Sequence, residues 1–111
     1  MNAVQLSALE NAVLKRFHEL YKDRGFPDVD AIRVRRRDFT RGGRYVDLES
    51  SLEVAVEDGD LDFGGHFIEM TGLPNGIMAV VLVNNRRVKL LELTVYGGEY
   101  WNGEERDWKI V

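Results

Sequence analysis

The sequence predicts an α+β domain: one N-terminal helix packed on an antiparallel sheet of about five or six strands, with residues 1–111 forming a single unit. Three observations predict it. A helical apolar stripe is confined to the first residues, the apolar period switches from roughly 3.6 to 2 after Pro27, and turn-forming clusters cut the remainder into short pieces. With 44% apolar and 31% charged residues over 111 positions, the balance is that of a globular chain. A chain of this length buries roughly two thirds of its unfolded surface around one core.

From Val4 to Tyr21, the residues Leu6, Leu9, Val13, Phe17 and Leu20 recur at spacings of three and four, which defines one buried helical stripe. Two start signals compete, Asn2 with Gln5 and Ser7 with Glu10. The stop is set by Gly25, able to take the left-handed conformation that ends a helix, and by Pro27, which cannot continue one. Lys22 and Arg24 suit the negative end of the helix dipole.

Beyond Pro27, Ile32 and Val34 alternate with Arg33, Arg35 and Arg37, predicting a half-buried strand with three arginines about 7 Å apart along one outer face. Arg44–Leu48 follows Gly42 and Gly43 as a short strand. Leu52, Val54 and Val56 alternate with Glu53, Ala55 and Glu57 as another, and 57–60 has the composition of a turn. Strands are then expected over Gly65–Met70 and Ile77–Val83, separated by a turn at Leu73-Pro74-Asn75-Gly76. The second of these is apolar on both faces and is expected to be central. Asn84-Asn85-Arg86-Arg87 predicts a hairpin into Val88–Tyr96, because asparagine tolerates positive φ. A last edge strand is expected near Trp108–Val111.

The composition narrows the function classes. With no cysteine, disulfide frameworks, thiol nucleophiles and Cys-ligated zinc are excluded, and a reducing compartment, the cytoplasm, is expected. Charged residues interrupt the first twenty positions, so neither a signal core nor a membrane span is expected there. Residues 1–55 hold ten basic and nine acidic residues, and residues 56–111 hold five and ten. An acidic second half argues against nonspecific nucleic-acid binding, which depends on cations displacing counterions from phosphates.

Chemical motifs are sparse. Asp58, Asp60, Asp62 and Glu69 stand at calcium-loop spacings, but Phe63 takes the place of the glycine that such a loop needs, and β-patterned sequence precedes it. No metal or other cofactor is expected. Serines 7, 50 and 51 lack a nucleophile elbow. His18 is expected in solvent and His66 half-buried and hydrogen-bonded. Arg41-Gly42-Gly43-Arg44 reads as a turn rather than a phosphate loop, since no helix follows it. Glu92, among apolar neighbours, is expected on the arginine face as an ion-pair member.

The N-terminal helix, Arg37-Asp38-Phe39-Thr40-Arg41-Gly42, the acidic middle, and Leu90–Gly97 with Trp101 together resemble a set of small uncharacterised bacterial proteins. That resemblance implies the helix-then-sheet order and carries no activity. The expected function is a non-enzymatic interaction module, of immunity or regulatory type, binding a protein partner through Arg33, Arg35, Arg37, Glu92, Tyr96 and Trp101; a second copy of the chain is an admissible partner. The alternative is a small-ligand binder or modest enzyme with a site around Glu92, Tyr96 and Arg35. The doubly apolar central strand also demands cover on its outer side. The 97–103 loop with Tyr100 and Trp101, arginine stems, or a partner chain could supply it.

Overall fold

The computed structural model describes residues 5–111. Helix α1 spans Ala8–Tyr21. Ser7 decides its start: the Ser7 hydroxyl accepts from the Glu10 N–H at 3.1 Å, and the Glu10 carboxylate accepts from the Ser7 N–H at 2.9 Å, a reciprocal capping box. Of the competing start, Asn2 lies outside the described residues and Gln5 precedes the helix. A 3-10 turn, Lys22–Arg24, follows and ends at Gly25 with φ 79°.

Seven strands form one antiparallel sheet, slightly more than expected: β1 Arg33–Thr40, β2 Gly43–Glu49, β3 Gly59–Leu61, β4 Ile68–Met70, β5 Leu73–Asn84, β6 Arg87–Val95 and β7 Lys109–Ile110. Their order is β1-β2-β6-β5-β4-β7, with β3 also paired to β5. The β5–β6 hairpin turns on Asn85 and Arg86 at φ 55° and 60°, the positive angles that a two-residue turn of this hand requires.

Two segments differ from the sequence reading. Leu52–Val56 is not a strand; Val54 and Val56 are buried as expected, but Leu52 is exposed. Its backbone bonds go elsewhere, Val54 N–H to the Arg86 carbonyl at 2.8 Å and Ala55 N–H to the Arg24 carbonyl at 2.6 Å. The strand forms instead at Gly59–Leu61, across the end of the expected turn. Likewise Leu73–Gly76 belongs to β5, and the chain reverses at Thr71–Gly72. Gly76, at φ 75°, absorbs the slip between the pairs Met70↔Leu73 and Ile68↔Ile77 as a bulge.

The helix buries Leu9, Val13, Leu14 and Phe17 against the inner sheet face, where Val46, Leu48, Ile77, Val81, Leu91 and Leu93 point. Phe17 is the hub, its ring 4.9 Å from Phe63, 6.0 Å from Phe26 and 6.2 Å from Tyr21. Leu20, expected in the stripe, is exposed. Cα extents of 37 × 36 × 20 Å leave room for one helix layer and one sheet layer. Among the described residues no helix is long and apolar enough to cross a membrane.

Candidate functional site

A one-residue slip in β1 governs which face each arginine reaches. Val34 pairs with Leu48 but Arg36 pairs with Asp47, so Arg35 is the extra residue of a bulge and the alternation inverts beyond it. Arg33, opposite Glu49, is exposed, and Arg37, opposite Val46, joins the inner face. The expectation that Arg33, Arg35 and Arg37 share one outer face is therefore corrected. Arg36 takes the outer position instead, 3.1 Å from Asp38 and 3.6 Å from Asp47.

On the inner side, Arg37 enters a cluster of four charges at the N-terminus of α1. Glu10 is fully buried and Arg44 is 3% exposed. Arg37 grips Glu10 with two N–H groups, at 2.7 and 2.5 Å, and donates to the Gln5 carbonyl at 2.8 Å. Arg44 Nη1 donates to Glu10 at 2.9 Å and to Glu105 at 2.7 Å, while Nη2 donates to the Gly103 carbonyl at 2.5 Å. Its guanidinium carbon lies 4.9 Å from the Trp101 ring centroid and 5.1 Å from that of Phe39. Glu105 completes the group by accepting from the Leu9 N–H at 3.1 Å, a helix-terminal donor with no partner inside the helix.

Charge balances in this cluster, two cations against two carboxylates, and the Glu10 oxygens accept four donors. Such an arrangement ties the helix start, the β1–β2 hairpin and the C-terminal loop together, and leaves neither carboxylate free for proton transfer. Glu92 and Tyr96 take no part in it. Trp101, expected in the partner surface, is buried over Arg44, with its indole N–H donating to the Glu104 carbonyl at 2.8 Å.

The sequence offered one signal for this cluster. Glu10 is four residues after Leu6 and three before Val13, so it lies on the apolar stripe, and a carboxylate there requires a buried cation. Nothing local in the sequence marks the bulge that turns Arg37 toward it.

The outer face carries Tyr45 and Asp47 of β2, Leu90, Glu92 and Thr94 of β6, and Met78, Val80 and Leu82 of β5, which the register aligns. Glu92 lies between Tyr45 and Val80, and among the described residues it makes no ion pair, contrary to expectation. Arg35, near the level of Leu90, is separated from Tyr96, in the 3-10 turn beyond β6, by roughly 20 Å of strand rise. A joint site of Glu92, Tyr96 and Arg35 is therefore not assembled.

The calcium-like acids diverge. Asp58 caps the β5–β6 turn, accepting the Asn85 and Arg86 N–H groups at 3.0 Å each, and Asp62 caps its own turn through the Gly64 N–H at 2.8 Å. His66 is half-buried as expected, its Nδ1 3.0 Å from the Val111 carbonyl oxygen. His18, expected in solvent, is also half-buried, its Nδ1 2.9 Å from the Phe26 carbonyl oxygen.

Two carboxylates, Glu105 and Asp58, make stability depend on pH in acid. Burial raises the Glu105 pKa, but hydrogen bonds from Ser7, Arg44 and the Leu9 N–H, together with the Arg44 charge, outweigh it and hold the carboxyl below the ordinary glutamate value. The Arg86 and Asn85 N–H groups likewise hold Asp58 low. A carboxyl whose folded pKa is depressed contributes stability above its unfolded pKa, and that contribution disappears as pH falls through the folded value. The melting temperature is therefore expected to fall as pH drops below about 4. Glu105→Gln should lower it at neutral pH and flatten that fall; an unaltered pH profile in Glu105→Gln would contradict the assignment.

No protein-family model, curated protein or solved structure matches the chain, so the site is read from its own geometry.

Proposed function

We propose that this domain is a non-enzymatic protein-binding module that docks its partner on the outer sheet face. One observation carries the reading: Met78, Val80, Leu82 and Leu90 form an apolar strip across the two central strands, half-buried by their neighbours within the sheet, and the two-layer thickness of the domain leaves them without cover. Trp101 and the loop around it, candidates to fold over this face, pack on the inner side with Arg44. Exposed Tyr45 flanks the strip, and exposed Tyr96 extends beyond the end of β6. Aromatic residues bordering an apolar centre are common interface anchors. The saturated carboxylates of Glu10 and Glu105 support a role other than acid–base catalysis. An immunity-type or regulatory role in the cytoplasm accords with the cysteine-free composition.

Capture from native extract tests this reading. Tyr45→Ala and Leu90→Lys are expected to stay folded and to lose a partner that the parent retains, while Lys15→Glu, on the exposed side of α1, keeps it. Undiminished capture by both outer-face variants would move the docking surface elsewhere. Recovery of the domain itself would identify a second copy as the occupant.

A further inference from the structure

A second surface feature lies where the start of β1, the end of β2 and the start of β6 meet. Arg33, Arg35, Arg87 and Lys89 line an open cleft of about 540 Å³ there, with the exposed Ser51 beside them. Asp30 and Glu49 are the acids in its lining. Four cations outnumber these two carboxylates and Glu53, which pairs with Arg87, in a chain whose net charge is −4.

Three of the four cations are not used internally. Among the described residues Arg33, Arg35 and Lys89 enter no ion pair, and Arg87 reaches Glu53 only at 3.7 Å. Independently, the Arg87 Nε is buried and has no hydrogen-bond partner. Like charges held together repel, and an oxyanion bound among these side chains relieves that repulsion.

The geometry points to this cleft as a binding site for the phosphate group of a small phosphomonoester. The local excess of positive charge, with Arg33, Arg35 and Lys89 unpaired among the described residues, suits the oxygens of a phosphomonoester. Guanidinium forks and a hydroxyl donor suit tetrahedral oxygens, and the cleft volume is that of a small-molecule site. A long polyanion is disfavoured by the acidity of the rest of the chain. The site is separate from protein docking on the central strip and does not depend on it.

The test is an NMR titration at fixed ionic strength with phenyl phosphate, inorganic phosphate and a hexaglutamate peptide in separate arms. Phenyl phosphate and inorganic phosphate should shift the amides of Arg33, Arg35, Arg87 and Lys89 saturably, more tightly as pH rises through about 6, where the second proton leaves. Arg35→Ala combined with Lys89→Ala, both exposed positions, should weaken binding by at least about tenfold, the usual effect of losing charged hydrogen bonds. Absence of saturable shifts in the parent, shifts spread equally over Lys22 and Arg24, or unchanged affinity in a folded double variant would overturn the site. Tighter binding of hexaglutamate than of phenyl phosphate would make it an acidic-peptide surface and overturn it too.

Discussion

Glu10→Ala is expected to destabilise the domain by about 3–5 kcal/mol, the usual effect of removing one partner from a buried ion pair. Arg44, 3% exposed, would retain Glu105, the Gly103 carbonyl and the long bond to the Ser7 hydroxyl but lose its Glu10 partner, and Arg37 would lose both of its short bonds to the carboxylate. The Ser7 N–H would also lose its acceptor, breaking half of the capping box. Arg36→Ala is the control. Its side chain is 70% exposed beside Asp38 and Asp47, so its loss should change stability by less than about 1 kcal/mol. Urea unfolding at neutral pH measures both, and a Glu10→Ala change no larger than that of Arg36→Ala would show the buried cluster to be energetically idle.

Phe17→Ala is expected to destabilise by about 3–5 kcal/mol, because a fully buried ring is lost and a cavity opens among its neighbours. Phe63, Phe26 and Tyr21 all stack on this one ring, so the cavity would lie between the helix end and two loop aromatics. Against a typical total of about 5–15 kcal/mol, that loss brings the domain close to unfolding. Phe17→Leu should cost less by refilling part of the volume. A melting temperature for Phe17→Ala equal to that of the parent would mean that the ring is not in the core.

The legible parts of the fold were those with a strong period or a turn with defined chemistry. Leu9, Val13 and Phe17 place α1, and the doubly apolar run Ile77–Val83 with Asn85 at its end places the β5–β6 hairpin. Leu73-Pro74-Asn75-Gly76 misled because the same residues serve a turn or the first, bulged stretch of a strand, where proline is tolerated and glycine takes the positive φ. Val54 and Val56 are buried without a ladder because the Val54 and Ala55 N–H groups go to the carbonyls of Arg86 and Arg24, which lie far away in sequence.

The candidate site was less legible for one physical reason: a single inserted residue reverses every side chain beyond it. The bulge at Arg35 sends Arg37 to Glu10 and brings Arg36 outward, and no composition or spacing in Arg33–Arg37 announces it. The need for cover on the outer side of the doubly apolar strand points to Trp101 there, yet it lies on the inner side. Its position follows from Arg44, whose buried guanidinium provides the surface on which the indole rests. The outer face is legible in the doubly apolar run Ile77–Val83 and in Glu92, and the register adds Met78, Val80, Leu82 and Leu90 to it.

In-cell photocrosslinking from a photoreactive residue substituted at Leu90, with the same residue at Lys15 as control, tests the docking surface most directly. The outer-face reading predicts a discrete protein adduct from position 90 that is absent from position 15. Adducts from position 15 with none from position 90, in variants that melt as the parent does, would contradict it.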